Sequence, residues 1–270
     1  MSPQLYIDLL KKCLTETLKP EKEEYFVVKR FPMFSKKLKK GNYAIIKYNM
    51  DLEGEMIRKM NGQAIIRDAE SMIGVKRMDN ILFCLENVIK DNIPGDLIET
   101  GAWMGGATIF MRGILKAYDI TDRKVYVADS FEGLPVPDKK YPSDKDSIYH
   151  TVKDLVAPFD QVKKNFKRYD LLDDQVVFLK GWFKDTLPAA NLQKLAVVRL
   201  DGDMYESTMD GLTNLYHKLS IGGYLIVDDW GAVPACQQAI KDFRKQHNIT
   251  EEIIPIDWTG VYWRKTKELE

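Results

Sequence analysis

Val197-Val198-Arg199-Leu200-Asp201-Gly202-Asp203 and Leu225-Ile226-Val227-Asp228-Asp229 share one form: a short apolar run that stops abruptly at carboxylates. Runs of this kind mark strands buried on both faces of a parallel sheet. In an open α/β sheet, ligands bind in the crevice beyond the carboxyl ends of the strands. Two such strands side by side would gather their acids there. Asp201, Asp228 and Asp229 are then the expected oxygen ligands of Mg²⁺ or a similar hard divalent ion, with Asp203 beside them as a base. An Asp at a strand end also serves simply to cap a helix or open a turn, and either cluster alone carries that reading equally well. Both together weaken it, because unpaired carboxylates this close repel until a proton or a cation neutralises them.

Outward from these strands the chain alternates regularly. Strands are expected at 96–100, 124–128, 176–180, 195–200 and 223–228, with helical segments near 106–118, 159–168, 206–219 and 234–246 between them. Two short strands at 252–256 and 260–264 close the chain as a hairpin across Asp257-Trp258-Thr259-Gly260. The fold class is therefore α/β: a Rossmann-like, doubly wound, mostly parallel seven-stranded sheet in the order found in methyltransferases. Residues 93–270 form this domain, and residues 1–92 an N-terminal helical and lid region. In that region, residues 4–18 place Leu5, Leu9, Leu10, Cys13, Leu14 and Leu18 at helical spacing, and residues 51–91 read as helical until Asn92-Ile93-Pro94-Gly95 stops them. Between them, 19–50 is Lys-rich with interleaved aromatics, a lid or extra subdomain rather than a nucleic-acid surface.

Composition agrees with that preference. Lys plus Arg and Asp plus Glu both number 40 in 270 residues, so no global charge points to nucleic acid or an anionic membrane. The apolar runs are too short to span a bilayer, and Met1-Ser2-Pro3-Gln4-Leu5 does not open a signal peptide. A cytoplasmic protein is expected. Cys13, Cys84 and Cys236 have no metal spacing and read as reduced thiols.

The stretch Leu97-Ile98-Glu99-Thr100-Gly101-Ala102-Trp103-Met104-Gly105-Gly106-Ala107 carries the nucleotide question. Its glycines allow a tight turn and close approach of a ligand to the N–H groups that open the next helix. The pattern is not G-x-G-x-x-G, which favours a compact ligand such as S-adenosylmethionine (SAM) over a dinucleotide. Asp129, at the end of Val125-Tyr126-Val127-Ala128, is placed to accept both ribose hydroxyls of an adenosine, framed by Ser130-Phe131-Glu132-Gly133. After the third strand, Gly181-Trp182-Phe183 reads either as a flank for adenine or as core packing.

These residues resemble the macrocin O-methyltransferase family, SAM- and Mg²⁺-dependent enzymes that methylate sugar hydroxyls of macrolide and aminocoumarin antibiotics. The resemblance runs through Ser71-Met72-Ile73-Gly74-Val75-Lys76-Arg77, Glu99-Thr100-Gly101, Ala128-Asp129-Ser130-Phe131, Gly181-Trp182-Phe183-Lys184-Asp185-Thr186, Asp201-Gly202-Asp203 and Gly260-Val261-Tyr262-Trp263-Arg264. It implies Mg²⁺ on Asp201, Asp228 and Asp229, Asp203 as catalytic base, and SAM on Ser71, Met72, the loop Glu99 to Trp103, the turn Asp129 to Gly133 and Gly181 to Phe183. Met104 stands where the family leads one to expect Arg, Ser71 where it has Thr, and Trp230 where it has Tyr. The 19–60 region matches poorly, which leaves the acceptor open. His150, in the long 134–157 loop, and His217, in the helix after Asp203, are rival bases. Rival classes are a catechol-type O-methyltransferase, a metal-dependent hydrolase, which has no use for an adenosine pocket, and a non-catalytic SAM-binding protein, which has no use for the acids. The expected partners are a glycosylated small-molecule acceptor and a second copy of the chain in a homodimer.

Overall fold

The computed structural model describes residues 2–18, 25–27, 46–48, 52–63 and 69–269, with the backbone alone at 25–27, 46–48, 52, 53 and 55. Most of the Lys-rich stretch read as a lid lies outside the described residues. Its described part holds β1 (Tyr25–Val27) and β2 (Ile46–Tyr48), paired antiparallel.

The main sheet contains β3 (Asp96–Thr100), β4 (Val125–Asp129), β5 (Val176–Lys180), β6 (Leu195–Leu200), β7 (Leu219–Val227), β8 (Ile254–Pro255) and β9 (Val261–Arg264), in the order β5-β4-β3-β6-β7-β9-β8. β3 to β7 pair in parallel, and the β8–β9 hairpin joins antiparallel to β7. This is the seven-stranded, doubly wound arrangement expected from the alternation. Period-2 alternation sends Leu97, Val125, Val197 and Ile226 into one layer, and Ile98, Tyr126, Val198 and Leu225 into the other. Both layers are covered, which is why these strands are apolar without interruption.

The first layer packs against α1 (Pro3–Leu14) through Ile7, Leu10 and Leu14, α3 (Gly74–Lys90) through Met78, Ile81 and Leu85, α4 (Gly106–Ala117) through Ile109 and Ile114, and α5 (Phe159–Arg168) through Val162 and Phe166. The second packs against α6 (Phe183–Ala189), α7 (Tyr205–Leu215) and α8 (Pro234–Gln246). Helices α1 and α3, from the region read as 1–92, thus share one core with the sheet. Between them, α2 (Leu52–Met60) is a separate helix, so 51–91 is not one continuous helical segment.

Three further elements differ from the sequence expectation, the first being the helix expected at 206–219, which runs Tyr205–Leu215 and passes into a 3₁₀ turn, Tyr216–Lys218. β7 starts at Leu219 and not at 223, because it absorbs Gly222-Gly223 through an irregular pairing with β6, where Gly222 adopts φ +86°. The short helix α6 is not among the helices expected from the sequence: Gly181 precedes it and Pro188 lies in its last turn, both of which suggest irregular backbone.

Candidate active site

A cavity opens at the carboxyl ends of β3, β4, β6 and β7. Gly101, at φ +89°, is the close approach that builds it. A side chain there would fall on the carbonyl oxygen of Asp201, so β3 and β6 deliver their loops side by side only because this residue is Gly. Gly106 plays the same part at the start of α4: its N–H donates to the Glu70 carbonyl at 2.9 Å, and a Cβ would collide with that carbonyl. That contact brings Ser71 and Met72 to the cavity wall.

On the β4 side, Asp129 organises the loops. Its Oδ2 accepts from the N–H groups of Ala102 (2.7 Å) and Trp103 (3.2 Å), and its Oδ1 from that of Phe131 (2.7 Å). Burial pushes this carboxyl up, while the three backbone donors pull it down. A carboxylate offers about four lone-pair sites, and the fourth meets only Ser130 Oγ at 3.5 Å, a long contact that a ligand hydroxyl can replace. Ser130 Oγ donates to the Gly133 carbonyl at 2.7 Å and accepts from the Glu132 N–H, closing the turn. Ala102, Trp103, Ser130, Gly133, Gly181, Trp182 and Phe183 line the cavity. Thr100, Phe131 and Glu132 do not: Thr100 is buried beneath Gly211, Phe131 packs edge-on to Phe159 with ring centroids 5.0 Å apart, and Glu132 is exposed.

On the β6–β7 side, Asp201, Asp228 and Asp229 each turn a carboxylate oxygen inward, and these oxygens lie within 4.8 Å of one another. They do not stand alone. Alternation puts Glu99 and Arg199 on one face, and the β3–β6 register pairs them directly. Arg199, fully buried, donates to Glu99, to Asp201 Oδ2 at 2.6 Å and to Asp228. Arg77 of α3 donates to the other oxygen of Asp228, to Asp257 Oδ2 at 3.0 Å and to the Gly62 carbonyl at 3.2 Å. Two guanidiniums therefore grip Asp228 from both sides, and Arg77 ties the end of α2 and the β8–β9 turn to the acids. Neither arginine had a role in the sequence reading. The available signal was a lone charge inside the apolar run of β6, which a buried strand tolerates only when paired.

Arg199 keeps its charge: burial opposes it, but Asp228, Asp201 and Glu99 outweigh that and hold its pKa up. The acids nevertheless exceed the two cations. Burial pushes Glu99 up to about 8 despite Arg199, and Asp201 up to about 6, with Asp228 adding to the rise and Arg199 reducing it. Asp203 rises to about 7 through burial and then the charges of Asp201 and Asp228, and Asp229 rises for the same kind of reason. Asp203 sits at φ +57°, a conformation rare outside Gly, with its N–H donating to Asp229 Oδ2 at 3.1 Å. All four acids line the cavity.

The rival histidines are elsewhere. His150 is exposed, and His217 is exposed in the turn that leads into β7, at the amino end of that strand and away from the cavity. The neighbour of His150 is nearer the chemistry: burial, then the carboxylates of Asp203 and Asp229, raise the Tyr149 phenol. Met104 donates no side-chain bond to the site, and its carbonyl accepts from Asn165 Nδ2 at 2.9 Å.

A sheet of this strand order, with a glycine-rich crevice over β3–β4 and an acidic pocket over β6–β7, has the Rossmann-like methyltransferase fold. The solved O-methyltransferase NovP superposes with a TM-score of 0.84 at 44% identity, covering 98% of this chain and 100% of that one. The calicheamicin methyltransferase CalS11 shares the fold at a TM-score of 0.59 and 16% identity over 88% of this chain and 95% of its own. The chain belongs to the macrocin-O-methyltransferase (TylF) family, whose pattern matches residues 3–265. Among its relatives, the demethyldecarbamoylnovobiocin O-methyltransferase of Streptomyces niveus is 54% identical over 202 residues, 74% of this chain and 77% of the relative. The mycinamicin III 3''-O-methyltransferase of Micromonospora griseorubida is 52% identical over 202 residues, 73% and 79% of the two chains. The protein is an O-methyltransferase.

Proposed function

We propose that this enzyme transfers the methyl group of SAM to a hydroxyl of a sugar carried by a glycosylated natural product, with Asp203 as base and Mg²⁺ held by Asp201, Asp228 and Asp229. The observation that carries the reading is that one cavity holds both halves of the chemistry, Asp129 with its glycine loop at one end and four carboxylates at the other. The relatives' names support the acceptor class, since one is named for demethyldecarbamoylnovobiocin and another for the 3'' position of mycinamicin III.

The cofactor fits the residues present. Glu99 Oε2 is buried without a hydrogen-bond partner in a side chain that lines the cavity, and the ammonium of the methionine moiety is a suitable donor to it. The weakly engaged fourth lone pair of Asp129 suits a ribose hydroxyl, and Trp182 and Phe183 offer apolar faces for adenine. Metal and donor set also agree: the converging groups are all hard oxygens, and Glu99, Asp201, Asp203, Asp228 and Asp229 face only Arg77 and Arg199 among the described residues. A divalent ion there supplies Lewis acidity toward the acceptor hydroxyl. Asp203 accepts the hydroxyl proton as the oxygen forms its bond to the methyl carbon, and the carbon–sulfur pair leaves with S-adenosylhomocysteine. The sulfonium methyl is already activated, so the main task of the chain is to hold oxygen, carbon and sulfur in line at an approach of about 3 Å.

A cytoplasmic homodimer remains part of this proposal. No helix among the described residues is long and apolar enough to cross a membrane, and Leu5 and Leu9 stand exposed on α1, where a second copy would cover them.

The test is transfer of labelled methyl from SAM to demethyldecarbamoylnovobiocin, mycinamicin III and simple catechols, with Mg²⁺ and with a chelator. Transfer to a sugar hydroxyl that the chelator abolishes is the expected result. Transfer to catechols alone would replace the acceptor class, and chelator-resistant transfer would remove the metal from the account.

A further inference from the structure

Helix α7 starts two residues after Asp203, and its first N–H groups need acceptors. Its N-cap position is Met204, whose side chain supplies none. The acceptor comes from 61 positions earlier in the chain. Asp144, 1% exposed, takes the Tyr205 N–H on Oδ1 at 2.7 Å and the Glu206 N–H on Oδ2 at 3.0 Å. Asp144 ends a short 3₁₀ turn, Pro142–Asp144, within the 134–157 loop.

The strand order gives this bond its reach. The loop leaves β4 and is pinned at the helix following β6, and β3 lies between those two strands. The loop therefore crosses the carboxyl end of β3, over the crevice, as a strap. Leu134, Pro135 and Leu155 of the strap line the cavity, and Trp103, in the loop after β3, fastens it a second time by donating from Nε1 to the Asp154 carbonyl at 2.9 Å. At its far anchor, the strap holds the first turn of α7, two residues from Asp203 in its left-handed conformation.

We propose that Asp144 is a positioning residue for methyl transfer: by capping α7 from the strap, it fixes the turn that aims Asp203 and at the same time holds the strap across the acceptor side of the cavity. This rests on the reading of Asp203 as the base. Asp144 does not line the cavity, so its removal is expected to disturb the turnover step and not cofactor binding.

The experiment compares wild type, Asp144→Ala and Asp144→Asn in three readouts: kcat and KM with demethyldecarbamoylnovobiocin, SAM affinity by calorimetry, and amide hydrogen exchange at Tyr205 and Glu206. Misplacement of a catalytic group by about 1 Å costs about a hundredfold in rate, so Asp144→Ala is expected to lose tenfold or more in kcat. Asp144→Asn keeps one carbonyl acceptor and should fall between the other two. SAM affinity should stay within about twofold, and the two amides should exchange faster in both variants. Unchanged exchange would show that Asp144 does not cap the helix. Faster exchange with wild-type kcat would show that the cap does not position Asp203, and a parallel loss of SAM affinity would make the effect one of general unfolding; each overturns the proposal. Should Asp203→Asn turn over normally, the base reading fails instead, while the exchange data still report on the cap.

Discussion

Arg199 shows at the scale of one residue what holds the acidic centre together. Its guanidinium is the common partner of Glu99, Asp201 and Asp228, all drawn from different strand ends. Replacing it with an apolar side chain of similar length, Arg199→Met, leaves those carboxylates buried with Arg77 as their remaining cation. A broken buried pair typically costs about 3–5 kcal/mol, and denaturant unfolding should show a loss of that size. The acids themselves were legible, because a carboxylate that ends an apolar run declares its chemistry without any partner. The arginines were not. Arg77 meets Asp228 across 151 positions and Asp257 across 180, contacts that only the assembled sheet defines. The Glu99–Arg199 pair would have followed from alternation alone had the β3–β6 register been known.

Elements depend on a few contacts of the same kind. Gly101→Ala would set a methyl group against the Asp201 carbonyl in a backbone conformation, φ +89°, that Ala adopts at a cost. Strain of about 1–3 kcal/mol from the backbone alone, with the collision added, predicts a large drop in thermal midpoint and loss of SAM binding together. The connection into β5 is tied to α4 by a two-pronged bond, Arg112 Nε to Asp173 Oδ1 at 3.0 Å and Nη2 to Oδ2 at 2.6 Å. Hydrogen bonding to Arg112 holds the Asp173 carboxyl below its usual value, so this pair stabilises the fold above the unfolded pKa and loses that contribution as pH falls through the lower folded one. Asp173 is two-fifths exposed, and after solvent screening Asp173→Asn should cost about 0.5–1 kcal/mol at pH 7. Thermal scans from pH 7 downward should see that difference begin to shrink near about pH 4 and vanish only below the lower folded pKa; a difference independent of pH would assign the effect to packing. At this scale the sequence spoke clearly wherever an element had a strong period. It failed at α6, seven residues framed by Gly181 and Pro188, and at the start of β7, where Gly222-Gly223 resembles a turn but continues the strand.

The molecule as a whole is a sheet whose two middle loops bring a cofactor end and an acid end into one cavity, with the 134–157 strap across it. The fold was readable because parallel strands covered on both faces leave a simple pattern. Acceptor recognition was not, since the strap is anchored by bonds between distant segments and much of 19–60 lies outside the described residues. The claim that joins these parts is that Asp203 takes the acceptor proton while Asp129 and Glu99 hold SAM. Its most direct test is the turnover of Asp203→Asn at saturating SAM, with SAM affinity measured on the same preparation. Asn accepts the left-handed backbone at this position readily, so the substitution removes the basic oxygen and little else. The account predicts SAM affinity near that of wild type and a kcat lower by about 10²–10⁴-fold. Wild-type turnover would contradict it and leave the proton without the acceptor that this site was read to provide.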